Sequence, residues 1–191
     1  MSQPMVLTFP NFLTLLRILA VPFFAIAFWY GHMVEACGLF VLAALTDLLD
    51  GYIARRFNQR SDLGAVLDPA ADKLLMTTAF LLLAFAPGIH VAKVPVWVAI
   101  LAVTRDVVIA LFALFSAGPF DPSKFRPSFL GKATTAWELV AISIGLLFNV
   151  MPQRTWFAPV ADFAYWGTAF LVLASGLHYF FRAARQGGNP S

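Results

Sequence analysis

The chain has 191 residues, of which 60% are hydrophobic and 12% are charged. An ordinary soluble domain carries about 25% charged residues and less than about 50% apolar ones, so this composition excludes that class of protein. The basic residues behind the net charge of +3 lie mainly in short connections between apolar runs, which favours membrane orientation and phosphate binding over nucleic-acid binding. A single cysteine, Cys37, excludes a disulfide framework.

Six apolar windows are long enough to cross a bilayer, whose core of about 30 Å needs about 20 helical residues. In chain order they are Phe9–Tyr30, Val34–Phe57, Ala65–Pro87, Lys93–Ser116, Phe129–Val150 and Phe157–Phe181. The first has no small-residue cleavage site and runs on past Pro22, which indicates a retained helix rather than a signal peptide. The sequence predicts an all-α integral membrane protein, with six transmembrane helices in one bundle and one domain covering residues 1–191.

The second and third helices carry an unusual density of carboxylates, because five of the ten acidic residues fall between Asp47 and Asp72. One stripe of the second helix combines acidic and small residues at the spacing i, i+3, i+4 and i+7: Asp47, Asp50, Gly51 and Ala54. One stripe of the third helix repeats every four residues: Gly64, Asp68 and Asp72. The two stripes are predicted to face each other across the short connection between the helices, at the cytoplasmic end.

Four converging aspartates would repel one another unless cations compensate their charge. Ligands that are all oxygen favour Mg²⁺, Mn²⁺ or Ca²⁺ over zinc or copper. Gly51 and Gly64 leave room for a bulky nucleotide or diphosphate, and the planar fork of Arg55 suits phosphate oxygens. The spacing therefore predicts a divalent-metal site beside a phosphate-binding surface.

The spacing from Asp47 through Asp50, Gly51, Ala54, Arg55, Gly64 and Asp68 to Asp72 resembles the complete signature of the CDP-alcohol phosphatidyltransferases. The opening Pro10-Asn11-Phe-Leu-Thr14-Leu-Leu-Arg17 is similar to the start of that family's first helix. The resemblance implies six membrane helices in a homodimer. It also implies transfer of a phosphatidyl group from CDP-diacylglycerol to an alcohol, with release of CMP.

The resemblance further assigns roles to individual residues. It implies that Asp47, Asp50 and Asp68 bind metal, with two Mg²⁺ or Mn²⁺ ions expected, and that Asp72 holds the second ion or acts as general base. It implies a CDP-binding set that comprises Asp47, Asp50, Gly51, Ala54, Arg55, Gly64 and Asp68.

The fourth and fifth helices add cations that fit a second anionic ligand, and the predicted acceptor-binding set is Arg105, Arg126 and Lys132. Simple positive-inside topology is the alternative for these cations. The stretch from Arg126 to Lys132 is similar to CMP-forming cardiolipin synthases and phosphatidylglycerophosphate synthases, which implies a glycerol-type acceptor. The second group usually has another Arg eight residues after Arg105, where this chain has Ala113. That difference favours phosphatidylglycerol over glycerol 3-phosphate as acceptor.

Basic residues are distributed unequally between the two ends of the predicted helices. One set of ends has Arg17, Arg55, Arg56, Arg60, Lys124, Arg126, Lys132, Arg182 and Arg185, and the other has Lys93 and Arg154. This asymmetry predicts a bacterial-type inner-membrane protein with both termini and the active site in the cytoplasm. The competing hypothesis is a transporter or proton channel with an acidic relay, whose carboxylates should extend towards the midplane on several helices.

Overall fold

The computed structural model describes residues 9–56, 62–87, 92–115, 129–151 and 158–187. Within these ranges, the side chains of 9–10, 48–56, 62–63, 65–66, 112–115 and 180–187 are not part of the description. The described residues form helices α1 (Phe9–Trp29), α2 (Met33–Arg56), α3 (Asp62–Phe85), α4 (Val96–Phe115), α5 (Phe129–Val150) and α6 (Ala158–Gly187). The predicted number and order of helices are confirmed, and α6 continues beyond its predicted end at Phe181 to Gly187.

A tight turn joins α1 to α2 and lets the two helices pack side by side. Gly31 adopts a positive φ of 81°, which glycine accepts without steric cost. The His32 amide donates to the Ala27 carbonyl at 2.9 Å, and the Gly31 amide donates to the Phe28 carbonyl at 3.1 Å. These bonds satisfy carbonyls that the end of α1 would otherwise leave without partners.

The packing order places three helices around the predicted aspartate site. α1 packs against both α2 and α3, while α5 contacts α2, α3 and α6, and α4 contacts α3 and α6. The buried core runs through the bundle, with tilted ring pairs between Phe24 and Phe28 at 6.0 Å and between Phe24 and Phe40 at 5.9 Å. The core therefore fixes α1 against α2, and α3 is the third wall of the same compartment.

The outer surface of the bundle is apolar. Large hydrophobic side chains are exposed on several helices, including Leu19, Phe23, Leu42, Val108, Phe163 and Phe170. Many large apolar side chains exposed in this way are unfavourable in water and suited to lipid. The protein is a membrane protein.

Among the described residues, α1, α5 and α6 contain segments long and apolar enough to cross a membrane, namely Asn11–Trp29, Phe129–Val150 and Ala158–Tyr179. The described α2 and α3 carry several charged residues in and around the aspartate stripes, which lowers their mean hydropathy. Three spans are thus supported by length and composition, and the six-span arrangement stays a prediction.

Two glycines of α6 have opposite packing environments, which gives a direct test of the described packing. A Cβ at Gly167 would meet ring atoms of Trp137 at 2.7 to 2.8 Å, and a Cβ at Gly176 would meet nothing within 4 Å. The Trp137 ring also donates to the Ala164 carbonyl at 2.9 Å, so it cannot move without losing that bond. Gly167 therefore allows α5 and α6 to approach closely.

We expect Gly167→Ala to lower the melting temperature in detergent by about 3 to 6 °C, because the added methyl displaces Trp137. Gly176→Ala is the matched control on the same helix and should leave the melting temperature unchanged or slightly raised, since alanine has the higher helix propensity. Equal effects of the two substitutions would contradict the packing of α5 on α6.

Candidate active site

A buried guanidinium joins the two helices that carry the aspartate stripes. The side chain of Arg17 on α1 is 0% exposed, and its Nη1 lies 2.8 Å from Oδ1 of Asp47 on α2. The same Nη1 lies 2.8 Å from Oδ1 of Asp72 on α3. The two carboxylate oxygens can therefore be no farther apart than twice that distance. Asp47 and Asp72 therefore approach each other through Arg17 of α1, so the site is built from three helices rather than two, and direct facing of the two complete stripes stays a prediction.

The third described aspartate is also bound by α1. The hydroxyl of Thr14 donates to Oδ1 of Asp68. Thr14 is completely buried, and it lies one turn before Arg17, so both side chains project from the same stripe of α1. Asn11 continues this stripe one turn earlier and is also buried. α1 thus presents a row of polar side chains to the aspartates.

Several residues of the predicted site lie outside the described side chains. The backbone of Asp50, Gly51, Ala54 and Arg55 is helical in α2, but their side chains are not described, and Arg126 lies wholly outside the described residues. Gly64 is described and is buried at the start of α3, one turn before Asp68. The structure thus brings Asp47, Asp68 and Asp72 to one compartment, and it leaves the roles of the undescribed residues as predictions.

A second polar cluster lies between α3, α4, α5 and α6. Lys73 Nζ lies 2.6 Å from Oδ2 of Asp106, and Arg105 Nη1 lies 2.8 Å from Oδ1 of the same carboxylate. The Arg105 Nε donates to Ser175 on α6 at 3.2 Å, which ties α4 to α6. Lys73 therefore pairs with an acid of the next helix, rather than with its sequence neighbour Asp72 or with the membrane interface.

Glu138 completes this second cluster and is its most deeply buried charged residue. The residue is 1% exposed, and neither of its carboxylate oxygens has a hydrogen-bond partner among the described residues. Its nearest cation is Lys73, whose Nζ is 3.9 Å from Oε2. Two cations and two carboxylates thus share one region of the bundle, where Lys73 is 36% exposed and the other three side chains are largely buried. The opposite formal charges balance, which lowers the cost of burying the carboxylates.

The predicted acceptor residues have different environments. The Arg105 side chain is 8% exposed and already has protein partners, whereas Lys132 is exposed on α5. Arg105 also borders a cavity of about 430 Å³ between α4 and α6. The rest of its lining is almost wholly apolar and includes Val108, Leu173 and Leu177. Arg105 and Lys132 therefore differ in solvent exposure, and the structure does not show them acting on one ligand.

The described aspartates of the site, Asp47, Asp68 and Asp72, provide the right chemistry for a hard divalent cation but do not by themselves form a closed metal site. Within the described part of the chain, no group of three or more His, Cys, Asp or Glu side chains is close enough to hold a metal ion. The donors are all carboxylate oxygens, which suits Mg²⁺ or Mn²⁺. Asp47 and Asp72 already meet at one positive charge, that of Arg17. The donor set therefore fits a divalent cation, and metal binding stays a prediction.

Sequence comparison decides the family. A model of the CDP-alcohol phosphatidyltransferase family matches residues 7–174, which include every described aspartate of the site. The chain belongs to this family. The resemblance carried by the aspartate signature is therefore confirmed.

Curated relatives agree with this assignment along most of the chain. A "CDP-diacylglycerol--glycerol-3-phosphate 3-phosphatidyltransferase" of Bacillus subtilis is 33% identical over 90% of this chain and 92% of its own length. A protein of the same name from Pseudomonas fluorescens is 35% identical over 88% of this chain and 83% of its own length. The human "Cardiolipin synthase (CMP-forming)" is 32% identical over 91% of this chain and 60% of its own length.

This CDP-alcohol phosphatidyltransferase is therefore an enzyme of phospholipid synthesis, and its relatives belong to the predicted glycerol-acceptor branch. The transporter hypothesis is not supported by these relatives. Arg17 lies in the opening stretch that is similar to the family's first helix and also counts among the basic residues that predict topology, but neither observation gave it a contact with the aspartates. Its position inside an apolar helix was the available clue, because a charged residue there indicates a functional site.

Proposed function

We propose that this enzyme transfers the phosphatidyl group of CDP-diacylglycerol to a glycerol-type alcohol and releases CMP. The carrying observation is the meeting of Asp47 and Asp72, from two helices of the family signature, at a single positive charge. Such a site can hold the cations that a diphosphate substrate needs. The match over residues 7–174 supports treating this part of the chain as one catalytic domain.

In the proposed reaction, the acceptor hydroxyl attacks the phosphorus that carries diacylglycerol. A new oxygen–phosphorus bond forms, the bond to the bridging diphosphate oxygen breaks, and CMP leaves with that oxygen. Asp72 accepts the hydroxyl proton, as a carboxylate beside the reacting group can do. Thr14 holds Asp68 in place through its hydrogen bond, while Gly51, Gly64, Ala54 and Arg55 accommodate CDP.

Divalent cations, two Mg²⁺ or Mn²⁺, would be held by Asp47, Asp50, Asp68 and Asp72, and would supply positive charge beside the diphosphate. The positive-inside asymmetry supports a cytoplasmic site and cytoplasmic termini in the inner membrane. The family resemblance supports a homodimer.

Two acceptors have separate observations in their favour. The names of the Bacillus subtilis and Pseudomonas fluorescens relatives favour glycerol 3-phosphate. Ala113, at the position of an expected Arg, favours phosphatidylglycerol. The apolar cavity beside Arg105 also suits a lipid acceptor, because acyl chains fit an apolar surface and phosphate fits a guanidinium.

The experiment that tests the proposed function is release of CMP by the purified enzyme. Detergent-solubilised protein is incubated with CDP-diacylglycerol and Mg²⁺ or Mn²⁺, and glycerol 3-phosphate and phosphatidylglycerol are supplied in separate reactions. Acceptor-dependent CMP release with one of the two would identify the substrate. Folded protein that releases CMP with neither acceptor would contradict the proposal.

Arg105 supplies a prediction about the acceptor pocket. We expect Arg105→Ala to raise the KM of the acceptor at least about tenfold with little change for CDP-diacylglycerol, because a charge-assisted contact to acceptor phosphate is lost. Ser175→Ala is the control, since it removes one partner of Arg105 but keeps the guanidinium. A folded Arg105→Ala enzyme with unchanged acceptor KM would leave Arg105 with a purely structural role.

A further inference from the structure

The charge balance of the aspartate site includes a cation supplied by the protein itself. Arg17 is not one of the signature residues on α2 and α3, yet its Nη1 contacts Asp47 and Asp72 at 2.8 Å each. A guanidinium is always protonated in proteins, so this positive charge is permanent. Its side chain is 0% exposed, whereas the side chains of Asp47 and Asp72 are 37% and 39% exposed, so solvent screens the contact from the aspartate side and an ion can reach the carboxylates.

One nitrogen of Arg17, Nη1, lies between the carboxylates of Asp47 and Asp72 and contacts both of them. Asp47 and Asp72 would repel each other if they were brought this close without a positive charge between them. Arg17 removes that repulsion and so stabilises the packing of α1, α2 and α3 before any metal binds. The same contact should lower the affinity for metal, because Oδ1 of Asp47 and Oδ1 of Asp72, both proposed metal ligands, already contact a cation.

We propose that Arg17 is an internal counter-cation that keeps the aspartate site assembled without metal and weakens its affinity for divalent ions. Arg17 acts through Asp47 and Asp72, so it is a positioning residue rather than a catalytic one. This inference rests on the proposed metal dependence of the enzyme. Arg17 would differ from a member of a simple structural ion pair, because Arg17 and the metal would neutralise the same two carboxylates.

The test compares divalent-metal binding by the full-length wild type with that by three variants in detergent. Arg17→Met removes the charge and keeps an unbranched apolar stem. Arg17→Lys keeps one charged nitrogen, and in the structure one nitrogen of Arg17, Nη1, contacts both aspartates. Lys73→Met is the matched control, because it removes a cation that pairs with Asp106 in the second cluster. Binding of Mn²⁺ is measured by the loss of the free-ion electron paramagnetic resonance signal.

We expect Arg17→Met to bind Mn²⁺ with a Kd at least about tenfold lower than that of the wild type, because nearby positive charge no longer opposes the ion. Its melting temperature should be lower without metal, and the rise on adding Mn²⁺ should exceed that of the wild type by roughly 3 °C. Arg17→Lys should resemble the wild type. Lys73→Met should keep the wild-type Kd within about threefold, because its cation neutralises other carboxylates.

The outcomes separate this inference from the function on which it rests. If neither the wild type nor any variant binds Mn²⁺, the proposed metal dependence fails and the inference fails with it. If the wild type binds Mn²⁺ and Arg17→Met binds it equally or more weakly, only the role of Arg17 is overturned. An equal gain in affinity in Lys73→Met would also overturn it, by showing a general effect of charge. Should Arg17→Met fold only when purified with Mn²⁺, the inference is supported, whereas a variant that stays unfolded with Mn²⁺ refutes it.

Discussion

Asp68→Asn is expected to lower turnover at least about 100-fold while leaving the protein folded. The substitution removes a negative charge from the proposed metal and diphosphate site. The amide oxygen of asparagine can still accept the hydrogen bond that Thr14 donates to Asp68, so the contact between α1 and α3 is retained. Turnover is measured as CMP release at saturating substrates, and folding as the melting temperature and the elution profile in detergent.

Asp162→Asn is the matched control for the loss of an aspartate charge. Asp162 is exposed near the start of α6, away from the stripes of α2 and α3. It should keep turnover within about twofold of the wild type, as is usual for substitutions at exposed positions remote from a site. Full activity of a folded Asp68→Asn enzyme would exclude Asp68 from the reaction. A comparable loss in Asp162→Asn would show that the assay reports bulk charge instead.

Metal removal is expected to have the largest effect. Excess chelator should lower the rate at least about 1000-fold, because the carboxylates alone would repel the diphosphate that the cations are proposed to neutralise. Restoration by Mg²⁺ or Mn²⁺ should be complete, because the proposed ligands are all carboxylate oxygens. The rate is followed by CMP release before chelation, after chelation and after each metal is returned.

The structure also predicts how the chelated enzyme behaves. Since Arg17 already neutralises part of the charge of Asp47 and Asp72, the protein should remain folded without metal. A loss of activity with an unchanged elution profile, reversed by metal, therefore supports a direct role of the cations in the reaction. Undiminished turnover in excess chelator would rule out metal dependence.

The second cluster shows why charged residues in a bundle need to be interpreted through their partners. Asp106 contacts both Lys73 and Arg105, and Glu138 lies beside Lys73 with its carboxylate fully buried. Buried ion pairs of this type contribute little net stability, but loss of one partner is costly because it leaves an uncompensated charge. The cluster links four helices around the predicted acceptor region, so Arg105→Ala can change stability as well as the acceptor KM. The melting temperature of this variant should therefore be measured alongside its acceptor kinetics.

The amino-acid sequence by itself determined the membrane character, the six helices and the faces on which the aspartates lie. These properties depend on composition and on periodicity within one helix, and both are local. The spacing from Asp47 to Asp72 was also sufficient to indicate the family, which the match over residues 7–174 confirmed.

Only the tertiary structure decided which helix faces meet and which charges become partners. Arg17 and Asp72 are 55 positions apart, and Lys73 and Asp106 are 33 apart, so no local periodicity pairs them. Lys73 follows Asp72 in the chain, but successive helical side chains point about 100° apart, and the two residues join different clusters. In the sequence alone, Arg17 could equally be one of the basic residues that mark membrane topology. Only the packing of α1 against α2 and α3 buries it between two carboxylates.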